Sequence, residues 1–197
     1  MRVFISVLVL IFGLQSWSAA DDISDFEIEG MSIGDSLLDF YTEEEIKDFT
    51  IYDLYNYKKD KTFVAVTFYP PKYQFDKYEA LSFEYKRNDK NYIIYGITGK
   101  IVTKYKKDIK ACHVKQDLVF KEISQLLKNQ KIYPARTTPH NADKTGRSKV
   151  RQSAFEFSNG DIVIIACYNW HKETGYSSNF RINLFNEELN NWLNTND

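Results

Sequence analysis

The sequence predicts an α+β domain: a largely antiparallel sheet of about six strands with helices over one face. Three observations carry that expectation. Runs of alternating aromatic and β-branched residues recur in pairs across turn-forming residues, as antiparallel hairpins require. One long stretch, from Lys107 to about Gln130, switches to a helical period. Capping signals mark further helix starts near both ends of the chain. The order helix–helix, three strands, helix, three strands, helix gives an α+β domain with a largely antiparallel sheet.

The first 20 residues read as a targeting segment rather than as part of that domain. Met1-Arg2 supplies a positive start, and Val3 to Leu14 is apolar apart from Ser6 and Gly13. Ser18 and Ala20 then provide the small residues that a signal peptidase reads, so cleavage is expected near Ala20. The apolar run is shorter than the roughly 20 residues a spanning helix needs. Residues 21–197 are then expected to form a single soluble domain, periplasmic or secreted.

Within that domain, Phe26 to Glu29 reads as a brief strand ending at Gly30. Ser32 with Asp35, and Thr42 with Glu45, each place an acidic side chain three residues after a hydroxyl. The second is a capping box, and the two together predict an N-terminal helix pair. Glu43, Glu44 and Glu45 suit the positive end of a helix dipole better than a metal. Thr62 to Tyr69 is a β-branched and aromatic run stopped by Pro70-Pro71. Ala80 to Tyr85 alternates, with Leu81, Phe83 and Tyr85 on one side. Residues 87–91 turn the chain, Tyr92 to Ile97 is expected to return beside it, and Gly99-Lys100-Ile101-Val102 continues that strand.

The long helix carries Ile109, Cys112, Val119, Phe120, Ile123, Leu126 and Leu127 on one face. Ile132 to Lys149 reads as a polar loop. A second hairpin follows: Val150 to Phe157 alternates, Asn159-Gly160 turns, and Ile162 to Trp170 returns with Cys167 beside Val163 and Ile165. Phe180 to Leu184 makes a last strand, and Asn186 caps a short C-terminal helix bearing Leu189, Trp192 and Leu193. No internal repeat stands out.

At 43% hydrophobic and 16% aromatic, the chain can bury a substantial core. Its net charge of −1 carries no electrostatic footprint of nucleic-acid binding. The two cysteines, Cys112 and Cys167, are most simply one disulfide in an oxidising compartment. His113 beside Cys112 does not make a reactive pair, because helix neighbours diverge by about 100°.

The sequence holds no nucleophile elbow, no His-Glu-x-x-His helix and no phosphate loop. No histidine pair stands at metal-ligand spacing, and no cofactor is implied. The one local concentration of positive charge is Arg136, Lys144, Arg147, Lys149 and Arg151, whose arginine forks suit carboxylate or phosphate groups. Tyr168, Trp170 and Tyr176, near a strand end and a loop, are candidates for stacking a ligand.

The run Phe26-Glu27-Ile28-Glu29-Gly30-Met31-Ser32-Ile33-Gly34-Asp35-Ser36-Leu37-Leu38, with Thr42-Glu43-Glu44-Glu45-Ile46, resembles the opening of small exported proteins of AT-rich bacteria. Tyr95 to Ile101 and Ala142 to Gly146 are similar as well. That resemblance implies export but no activity. Gly30-Met31-Ser32 ahead of a sheet also looks like SmpA/OmlA-type and β-lactamase-inhibitor-like domains, which implies an α+β module that binds proteins of the bacterial envelope. The SmpA/OmlA type is lipid-anchored, and no cysteine precedes Cys112 here.

The expected function is therefore a non-catalytic periplasmic module that engages an envelope or extracellular protein or an anionic ligand. The alternative is a small extracellular hydrolase whose site would assemble from His140, Asp143, His171 and Glu173.

Overall fold

The computed structural model describes residues 22–52, 54 and 60–195. The signal segment expected at residues 1–20 lies outside the described residues. Mixed α+β architecture is present, but the sheet has eight strands rather than about six.

Helix α1 (Glu43–Phe49) precedes β1 (Thr50–Ile51), β2 (Phe63–Phe68), β3 (Ala80–Lys86) and β4 (Gly96–Ile101). Helix α2 (Ile109–Leu126) precedes β5 (Lys131–Pro139), β6 (Lys149–Glu156), β7 (Ile162–Asn169) and β8 (Asn179–Phe185). Helix α3 (Glu187–Asn194) follows. The strands form one sheet in the order β1-β2-β3-β4-β8-β7-β6-β5, every neighbouring pair antiparallel. The chain thus lays down a helix and a four-strand meander twice, and the last strand of each meander meets the other at the centre of the sheet. The sequence shows no such repeat; the topology does.

The two strands beyond the expected six are the two edges of the sheet. Residues 131–137 of β5 are all exposed, so no buried face imposes alternation on them. Pro134, Pro139 and Arg136 interrupt the strand pattern, and the register shifts between Tyr133 and Arg136. These are ordinary devices for blunting a sheet edge, and they are why the segment reads as a loop.

Three local expectations also change. The first helix of the expected N-terminal pair is a single 3₁₀ turn, Leu37–Asp39, capped by Ser36. Ser32 caps nothing; its amide donates to the Asp35 carboxylate at 2.8 Å and closes a turn. Residues 92–94 peel away from β3 toward the N-terminal segment, with Leu37 N–H on Tyr92 O and Ile94 N–H on Asp35 O. The brief strand at Phe26–Glu29 reduces to a bridge between Ile28 and Met31, and Glu29 and Gly30 between them both have positive φ. The capping box of α1 forms as expected, Thr42 and Glu45 satisfying each other's backbone N–H. Asn186 caps α3.

Both α1 and α2 lie on the same face of the sheet. Phe49 of α1 packs on Phe68, and Phe120 of α2 stacks on Phe155 at 5.0 Å. Beneath them Val66, Phe83, Ile97, Leu184 and Ile165 form a continuous buried core. Cys112 on α2 and Cys167 on β7 are joined by a disulfide across this interface. One turn further along α2, the Gln116 amide donates to the Ile165 and Arg151 carbonyls, holding the helix in register over β6 and β7. No helix among the described residues is long and apolar enough to cross a membrane.

Candidate functional site on the open face of the sheet

Strand alternation turns the other set of side chains away from α1 and α2. At one end α3 covers this second face: Leu189 and Trp192 pack with Phe63 of β2, Tyr95 and Phe185 of β8. Gly96 permits that approach, since a Cβ there would lie 2.5 Å from Leu189 and from the Glu84 carboxylate. A groove of about 560 Å³ continues beside α3, lined by Tyr133, Arg136, Gln152, Ala154, Ile164 and Asn190 among others.

Toward the centre the face becomes polar. Thr67 and Ser82 hydrogen-bond across β2 and β3 at 2.9 Å. Thr98 of β4 donates to Asn183 of β8 at 3.0 Å, and both are buried. The next pair along these two strands is Lys100 opposite Arg181. Like charges directly opposite on antiparallel strands are unfavourable, yet neither side chain enters an ion pair with the described residues. The Arg181 guanidinium is instead held by Asn179, which accepts from Nε at 2.8 Å, and lies over the Tyr168 ring at 4.1 Å. Asn179 is itself buried and tied to the Ser177 carbonyl. Burial first, and the facing Arg181 charge second, push the Lys100 ammonium down to about 8, against a weaker upward pull from Glu84.

Beyond Arg181, toward the end of β7, lies a group of rings. Tyr168 and Trp170, two residues apart on the same side of the chain, are nearly parallel with centroids 6.1 Å apart. His140, from the β5–β6 loop, sits 4.3 Å from Trp170 and 5.5 Å from Tyr168. Tyr176, from the β7–β8 loop, lies 4.8 Å from Trp170 and is 65% exposed. Burial first, then Arg181, lowers the His140 imidazole, against an upward pull from Asp143. It is therefore held toward the neutral, stackable form. The rings expected to stack a ligand, Tyr168, Trp170 and Tyr176, are thus brought together, joined by His140 and continuous with Arg181.

The five basic residues expected to bind an anion are not brought together. Arg136 pairs with Gln152 and so faces the open side, whereas Arg151 pairs with Cys167 and faces α2. There Arg151 is engaged by Gln116 and Asp117, each at 2.7 Å. Arg147 forms an ion pair with Glu173. Lys149 donates to the Gly146 carbonyl at 2.8 Å, and Lys144 is exposed in the same loop.

His140, Asp143, His171 and Glu173 do share one end of the sheet, but their polar atoms hold loops. The two imidazole Nδ1 atoms accept from the Ala142 and Glu173 amides respectively. Asp143 accepts from the Thr145 and Ser148 amides and hydroxyls, which hold its carboxyl far below the ordinary range. Ser148 donates to Asp143 and accepts from the His171 backbone N–H, so it has no imidazole to activate it. Among the described residues no group of three or more His, Cys, Asp and Glu side chains could hold a metal ion.

Fold and face together define the class: an α+β protein with a disulfide-pinned helical layer and one open, cationic and aromatic sheet face. No protein-family model, curated protein or solved structure matches the chain.

Lys100 and Arg181 escape a reading of the sequence because they are 81 positions apart. The available signal was a polar residue at an alternating position in each predicted strand, which became a pair only once β4 met β8.

Proposed function

We propose that the protein is a non-catalytic binding module, exported to the periplasm or beyond, whose open sheet face takes an anionic partner. The observation that carries this reading is the Lys100–Arg181 pair. Two half-buried cations face each other on a side of the sheet that α1 and α2 leave uncovered, neither in an ion pair with the described residues, and the Glu84 carboxylate offsets the Lys100 charge only weakly. A protein gains nothing in stability from that arrangement, whereas a bound carboxylate, sulfate or phosphate would neutralise both charges at once. Export is supported by the charged, apolar and small-residue pattern of residues 1–20 and by the Cys112–Cys167 bridge.

Amide chemical shifts recorded during titration with poly-glutamate and with oligogalacturonate test the binding reading. The largest changes are expected at residues 98–101, 166–170 and 179–183. Changes confined to residues 144–149 would move the site to the basic loop. No change with either polyanion would end the proposal. Mass spectrometry of the exported protein, with an N-terminus expected at Asp21, tests the compartment; an intact Met1 would contradict it.

A further inference from the structure

Resting on that reading, we infer that the anionic partner is an acidic carbohydrate, its charged group held by Lys100 and Arg181 and a sugar face laid on the Trp170–Tyr176 shelf. The cations and the rings form one continuous surface: Arg181 lies 4.1 Å from Tyr168, Tyr168 is nearly parallel to Trp170, and Trp170 lies 4.8 Å from Tyr176. Binding sites commonly combine apolar and aromatic walls with a few fixed polar groups, and this surface has that composition in an elongated form.

An acidic peptide would need the cations but has no need of a shelf of rings. A neutral glycan would need the rings but not two facing cations. Only a ligand that alternates flat apolar faces with acidic groups uses both. Tyr168 is not the stacking platform, because Arg181 already occupies its face. The exposed ring is Tyr176, with Trp170 and His140 supporting it from behind. Asn179 is a positioning residue: it orients the guanidinium through Nε and leaves the two terminal NH₂ groups for the acid.

Isothermal titration of the full-chain protein with a galacturonic acid tetramer, a galactose tetramer and poly-glutamate separates the readings. The acidic sugar is expected to bind at least about tenfold more tightly than either comparator. Arg181→Gln and Tyr176→Ala are each expected to lose at least about tenfold in that affinity. Tyr176 is exposed, so its replacement leaves the fold intact, and unchanged circular dichroism confirms this. Quenching of Trp170 fluorescence by the acidic sugar, abolished in Trp170→Phe, would place the sugar on the shelf. Equal binding of poly-glutamate, sensitive to Arg181→Gln but not to Tyr176→Ala, would overturn the carbohydrate inference and leave the anion-binding reading standing. Absence of binding to either polyanion would overturn both.

Discussion

The two faces of the sheet are built from the same strands yet obey opposite rules. Under α1 and α2, alternate residues such as Val66, Phe83, Ile97, Leu184 and Ile165 are large, apolar and buried. On the other face the same strands carry Ala65, Ser82, Thr98, Lys100, Asn183 and Arg181. The first face is what hydrophobic burial produces when every layer must be covered. The second includes a facing like-charge pair, only weakly offset by Glu84, that stability alone would have replaced. A protein retains such a feature at a functional site more readily than in a scaffold. The helical face holds the molecule together, and the open face is the one we propose for binding.

That contrast can be broken or sharpened by substitution. The largest expected effect is on the helical face: Phe83→Ala should cost about 3–5 kcal/mol in urea unfolding, through lost burial and a cavity in the middle of the core. Nearly as large is removal of the bridge. The Cys112→Ala, Cys167→Ala double variant frees a sequence separation of 55 residues and should cost about 4 kcal/mol in the chain-entropy account. Thr42→Ala removes one half of the α1 capping box and should cost about 1 kcal/mol.

The open face should respond in the opposite direction. Lys100→Met should stabilise the free protein at neutral pH by about 0.5 kcal/mol, because it removes a facing like charge and keeps the apolar stem. Its pH dependence fixes the sign. The folded-state Lys100 ammonium loses its proton near 8, below its ordinary value of 10.5, so the unfolded chain binds more protons between those limits. Stability of the wild type should therefore rise as pH increases from about 8 toward 10.5, and that rise should be absent in Lys100→Met. Affinity for an anion should fall over the same window. A denaturant series at several pH values measures the first effect and calorimetry the second.

Legibility from the sequence follows the same division. The helical face was readable because burial imposes period on the chain: the Leu81, Phe83, Tyr85 alternation, the Cys112–Val119 stripe and the hairpin into Cys167 all appear where expected. The edge strand β5 was not, because an exposed strand with two prolines has no apolar period to reveal it. The hairpin turn at Asn159-Gly160 was readable as a turn, though it closes as a three-residue loop with Gly160 at φ 93°. The stacking rings were legible one by one, and His140 joined them only when two loops met. The basic residues between 136 and 151 are close in sequence but not all close in space: alternation sends Arg151 to one face and Arg136 to the other.

Thermal unfolding of the wild type and Lys100→Met, each with and without a saturating galacturonic acid oligomer at pH 7, separates a binding role for the open face from a structural one. Lys100→Met is expected to melt higher than the wild type when free. The oligomer is expected to raise the wild-type midpoint and leave the variant unmoved. A free variant that melts lower, with the oligomer shifting both proteins equally, would make Lys100 a structural residue and contradict the assignment of the open face to binding.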